Sequence, residues 1–116
     1  MLFPWVEDDV LRDRLGRFYE ESEAAFENAA WLSFILMCGA IFEGILFAKI
    51  AENLSFNQLI IRAKEEEYID EYTANIMNRV RTDRNLVHAN RCAEPFASRM
   101  DAMAVSYTHL TLPTKA

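Results

Sequence analysis

Residues 29–54 read AAWLSFILMCGAIFEGILFAKIAENL, apolar on nearly every side of a helical projection, and this run decides the fold. A helix that is hydrophobic all round is the buried centre of a bundle or a membrane span. Only 14 residues, Ala29 to Phe42, precede the first charge, Glu43. A span needs roughly 20 predominantly apolar residues, and a charge near its middle costs about 2.5–3.5 kcal/mol. The run is therefore expected to be a core helix, with no membrane involved. Gly39 and Gly44 are expected to let neighbouring helices approach closely, since each costs on the order of 1 kcal/mol of helix propensity that packing must offset.

On the N-terminal side, apolar residues at Val6, Val10, Leu11, Leu15, Phe18, Ala25, Phe26 and Ala29 follow the helical period, with Ser22 the one small polar exception. This predicts an amphipathic first helix, with Asn28 as the local breaker. On the C-terminal side, Ser55-Phe56-Asn57-Gln58 has the form of a capping box and opens a shorter third helix with Leu59, Ile60 and Ala63 inward. The acidic Glu65, Glu66 and Glu67 read as a solvated face, and a turn is expected around Tyr68 to Asp70. A fourth helix is expected from about Glu71 to Asn90, with Ile76, Met77, Val80 and Val87 as its apolar face and Pro95 barring its continuation.

The expected fold is thus all-α: an up-and-down bundle of four main helices with a truncated fifth C-terminal helix. Its length of 116 residues and its three Gly and three Pro suit one helical domain, taken as residues 1–105. A short fifth helix is expected from Ser98 to Val105. Residues 106–116, SYTHLTLPTKA, show no helical period and resemble translated sequencing adapter, so they are expected to be a non-native or disordered tail that carries no function at His109.

The net charge of −6 argues against nonspecific coating of nucleic acid, whose affinity comes largely from Lys and Arg neutralising phosphates. Residues 79–91 reverse that balance, with Arg79, Arg81, Arg84 and Arg91 against Asp83 alone. Cys38 and Cys92 form no C-x-x-C pair and have too few histidines for a zinc site. Cys38 reads as packing. No metal or cofactor is expected, and a reduced cytoplasmic setting fits. The acidic start Glu7-Asp8-Asp9 is unlike a signal peptide.

With about 100° per residue, Arg84, His88, Arg81 and Asn85 lie about 40–140° from Val80 on the expected fourth helix, bordering the core face rather than opposing it. Arg81 and His88 are then about 10.5 Å apart along the axis, room for a phosphodiester between them. Imidazoles move protons near neutrality, and the guanidinium fork suits a phosphate. Arg81 and His88 are the candidate catalytic pair, with Arg84 and Asn85 as candidate substrate-binding residues. One His per stripe is too few for both proton-transfer roles, so a dimer that joins two stripes makes chemical sense. A plain alternative is that basic residues in the C-terminal half of a helix answer its dipole. Glu43 is expected to support the site by pairing with Arg81 or Arg84 rather than to act as a general base.

The segment VRTDRNLVH, Val80 to His88, resembles the Arg, four to six residues, His signature of HEPN domains (higher eukaryotes and prokaryotes nucleotide-binding). MCGAIFEGIL, Met37 to Leu46, on an apolar second helix is similar to the same superfamily, and the likeness covers roughly residues 10–105. The resemblance implies a helical bundle that forms a homodimer and, in active members, cleaves RNA without metal using Arg and His from both subunits. It also implies a toxin whose antitoxin is a small nucleotidyltransferase-like protein. Thr82 follows Arg81 while Asn85 follows Arg84, so either arginine fits as the working one. The alternative is a noncatalytic HEPN-like dimeric module that binds a nucleotide or a protein through the same stripe.

Overall fold

The computed structural model describes residues 2–111, with the side chains of residues 2–106. It is an all-α bundle of four main helices and a short fifth: α1 (Asp9–Glu27), α2 (Trp31–Ile50), α3 (Phe56–Glu65), α4 (Glu71–Asp83) and α5 (Arg99–Thr111), with two 3-10 turns at Arg84–Val87 and Ala89–Arg91.

Local chemistry sets the starts. Asp8 caps α1, its Oδ1 accepting the N–H groups of Val10 at 2.9 Å and Leu11 at 3.1 Å. The expected capping box is present: Gln58 N–H donates to Ser55 Oγ at 3.2 Å, and Ser55 N–H donates to Gln58 Oε1 at 3.0 Å. Asp70 caps α4 by accepting the Thr73 N–H at 2.8 Å, and that bond holds its carboxyl below the usual aspartate range. Each cap satisfies backbone donors that a first turn leaves open.

The ends use a less expected device. Ala29 and Glu67 adopt left-handed backbone, φ 57° and 61°, where glycine is usual. Ala30 N–H reaches Ala25 O at 2.8 Å and Tyr68 N–H reaches Ala63 O at 2.8 Å, the long closing bonds of a Schellman turn. Ala51 ends α2 in the same conformation at φ 60°. Consequently α2 stops at Ile50, four residues before the expected Leu54.

The helix expected to be the core is the core. Phe34, Ile35, Cys38, Gly39, Ile41, Phe42 and Leu46 of α2 are buried, and α2 packs against each of the other four helices. By length and composition α2 is also apolar enough to cross a membrane. Both glycines mark close approaches. A Cβ on Gly44 would lie 2.4 Å from Leu15 Cδ2 of α1, and one on Gly39 would lie 2.8 Å from Val80 Cγ1 of α4. Ser22 is buried with its hydroxyl donating to Tyr19 O at 2.7 Å, which satisfies the polar group inside.

Three residues expected on apolar faces are corrected, Ala29 being exposed in the turn after α1. Val10 is 79% and Val87 59% exposed. Val10 lies on the side of α1 that carries Asp13, Arg14, Arg17 and Glu21, while its neighbour Leu11 turns toward the end of α2, and Val87 lies beyond the end of α4. The helical segment near the C-terminus also runs further than its pattern suggested, through Thr111, so residues 106–111 continue α5. The expectation for 112–116 falls outside the described residues.

Candidate functional site

The four candidate residues do not share one continuous helix. α4 ends at Asp83, Arg84–Val87 form a 3-10 turn, and His88 has extended backbone with φ −85° and ψ 136°. The expected helix to Asn90, with its even angular spacing, is corrected accordingly. Two local features favour the break. Thr82 Oγ1 donates to Asn78 O at 3.0 Å, a back-bond that tends to bend helices. Asp83 then places a carboxylate at the negative end of the helix dipole, which is unfavourable. Burial pushes its carboxyl above the usual range and Asp101 adds to that rise, with Arg79 opposing both.

The tighter turn changes the neighbours. His88 N–H donates to Asn85 O at 3.0 Å, so these two residues stand one 3-10 turn apart, the spacing at which successive side chains eclipse. Arg84, Asn85 and His88 are exposed, and Arg81 is partly buried on the last turn of α4.

The arginines of residues 79–91 have different commitments. Arg79 pairs with Asp101 at 3.0 Å and Arg91 with Glu94 at 3.1 Å. Arg84 is held from two sides, with its Nη2 3.9 Å from Glu43 Oε1 and its guanidinium carbon 5.2 Å from the centroid of the Phe56 ring. Arg81 donates through Nε to Asn78 Oδ1 at 3.4 Å and has no carboxylate partner among the described residues. Its two terminal nitrogens remain available to an anion. The basic run is therefore largely internally neutralised, and Arg81 is its uncommitted member.

Glu43 takes the partner expected of it, Arg84, although both side chains are partly exposed, 38% and 43%, rather than buried. Phe56 and Asn78 were not singled out from sequence. Phe56 appears there only as the second residue of the capping box, and nothing in its spacing signals that an arginine from α4's far end lies over it. Cys38 is fully buried and burial pushes its thiol to about 12, consistent with a packing role, whereas Cys92 is exposed. No group of His, Cys, Asp and Glu suited to a metal ion occurs among the described residues.

What the fold and site define is a small all-α bundle with an arginine, an asparagine and a histidine on one short, largely exposed segment. Compared with family models, curated proteins and solved structures, the chain shows no significant match to any.

Proposed function

We propose that this chain is a HEPN-type endoribonuclease that cleaves RNA without metal as a homodimer in the cytoplasm, and that it serves as the toxin of a toxin-antitoxin pair with a nucleotidyltransferase-like antitoxin. The observation that carries the reading is the uncommitted Arg81 guanidinium within one turn and a 3-10 turn of exposed Asn85 and His88. In the proposed reaction an imidazole takes the proton of a ribose 2′-OH, and the 2′-oxygen attacks phosphorus. Arg81 neutralises the pentavalent phosphorane, and a second imidazole, from the partner subunit, protonates the departing 5′-oxygen. The products are a 2′,3′-cyclic phosphate and a 5′-hydroxyl. Asn85 positions the ribose or base, and Arg84, tied to Glu43 and Phe56, holds the turn in place as well as adding charge.

The test is incubation of RNA with the wild-type chain and with His88→Ala in EDTA. Cleavage by the wild type and its loss in the variant support the reading; equal activity, or none in either, rejects it. One observation favours a second reading. The break at Asp83 removes the straight helical spacing between Arg81 and His88, which suits a noncatalytic HEPN-like module that binds a nucleotide or protein through the same residues. Binding without cleavage, lost in Arg81→Ala, distinguishes it.

A further inference from the structure

A groove of about 320 Å³ runs between the C-terminal half of α1, the start of α2 and α5, lined by Tyr19, Glu23, Phe26 and Glu27 with Phe34 and Ser106. Its floor is aromatic: Phe26 meets Phe34 edge-on at 5.1 Å and Trp31 at 5.3 Å. Its rim is anionic. Glu23 and Glu27 stand one turn apart on α1, a spacing at which like charges repel, and no basic residue occupies the last turn of that helix. They also sit at the negative end of the α1 dipole, where carboxylates are disfavoured. Tyr19 donates its hydroxyl to Glu23, which with burial raises the phenol above its ordinary value. Among the described residues no ion pair reaches Glu23 or Glu27.

The Tyr19 hydroxyl offsets part of this local cost at Glu23, but no cation offsets it at either carboxylate among the described residues, and a cation seated in the groove would supply that compensation. We propose that the groove docks an arginine-bearing segment of a protein partner, with the guanidinium forked onto Glu27 and Glu23 and its stem over the Phe26 and Phe34 rings. Arginine suits the site better than lysine, because its planar fork matches a carboxylate and its weakly hydrated face stacks on aromatic rings. The occupant is assigned by charge complementarity, and none of Arg81, Arg84, Asn85 or His88 takes part, so the inference stands apart from the RNA reading.

The experiment is calorimetric titration of the full chain with an acetylated, amidated peptide of alternating arginine and glycine, beside the same peptide carrying lysine. Saturable binding is expected, stronger for the arginine peptide. Glu23→Gln with Glu27→Gln is expected to weaken it about tenfold, the effect of roughly 1.4 kcal/mol, while the same charge change at Glu65→Gln with Glu66→Gln leaves it within about twofold. The groove variant removes like-charge repulsion, so its unfolding temperature should not fall. Equal weakening by both double variants, equal affinity for both peptides, or absence of saturation would overturn the proposal. So would a groove variant that loses self-association while its peptide affinity is unchanged, since the occupant would then be a second copy of the chain.

Discussion

The guanidinium of Arg84 lies 5.2 Å over the ring of Phe56 while its Nη2 stands 3.9 Å from Glu43, so one side chain ties the 3-10 turn to both α2 and α3. Arg81, three residues earlier, has a single long bond to Asn78. The two arginines should therefore separate by experiment. A partly exposed cation–π contact and a partly exposed ion pair are each worth about 0.5–1 kcal/mol at most, so Arg84→Ala should lower unfolding free energy by about 1 kcal/mol. Arg81→Ala should stay within about 0.5 kcal/mol of wild type yet lose RNA binding. Denaturant unfolding and a binding titration on both variants check the pair; a large stability loss at Arg81 would contradict the assignment.

The glycines make a second contrast. Gly44→Ala would gain about 1 kcal/mol of helix propensity but drive a Cβ to 2.4 Å from Leu15 Cδ2. Leu15 is fully buried and has little room to rotate. Overpacking of this kind costs about 1–3 kcal/mol, so a net loss of about 1 kcal/mol is expected. Gly16, where an added Cβ meets nothing nearer than 4.0 Å, lacks that opposition. Gly16→Ala should stabilise by roughly 0.5–1 kcal/mol, and thermal unfolding of the two single variants gives opposite signs if the packing argument holds.

Helix identities were legible in this sequence and several helix ends were not, for a reason visible at particular residues. The all-apolar run around Phe34 to Leu46 reads as a central helix, which the structure buries against the other helices, and Ser55 to Gln58 announces the start of α3. Asn28 marks the stop of α1 and the expected turn near Tyr68 follows α3, but α2 stops without such a signal at Ala51, in the left-handed backbone that Ala29 and Glu67 also adopt. An alanine there looks like continued helix. The break after Asp83 has weak local signals in Thr82 and Asp83, but Arg84's contacts with Glu43 and Phe56 depend on tertiary structure. The site's residue types could be read; their arrangement could not. The same strain yields a prediction: a non-glycine residue in this region costs roughly 1–2 kcal/mol. Ala29→Gly should thus stabilise by about 0.5–1 kcal/mol after the added entropy of the unfolded chain, measured as a higher midpoint of denaturation. An unchanged or lower midpoint would count against the left-handed turn.

Asp83 gives the pH dependence. Burial raises its carboxyl above the ordinary value of 3.8, so the folded chain holds this proton more tightly than the unfolded one. Its stability contribution is therefore most favourable at low pH and is lost as pH rises through the ordinary value toward the raised one. At pH 7 the partly buried charge opposes folding. Asp83→Asn should raise the melting temperature at pH 7, and the gain should shrink to nothing as pH falls below 3.8. A gain that persists undiminished in acid would point to packing rather than charge.

His88 is the only histidine of residues 79–91, whereas the proposed cleavage needs one imidazole to take a proton and another to give one. If both come to a single site across a homodimer, a mixed dimer of wild type and His88→Ala has one imidazole and should be nearly inactive. Adding a tenfold excess of His88→Ala to wild type, with time for subunits to exchange, would then convert almost all wild-type chains into dead dimers. RNA cleavage per wild-type chain should fall by about an order of magnitude, the loss that general acid or base catalysis typically exceeds when one partner is removed. A site contained within one subunit predicts full retention per wild-type chain. That difference can be read by quantifying 2′,3′-cyclic phosphate product at fixed wild-type concentration, and retention would reject the composite site while leaving the cleavage itself standing.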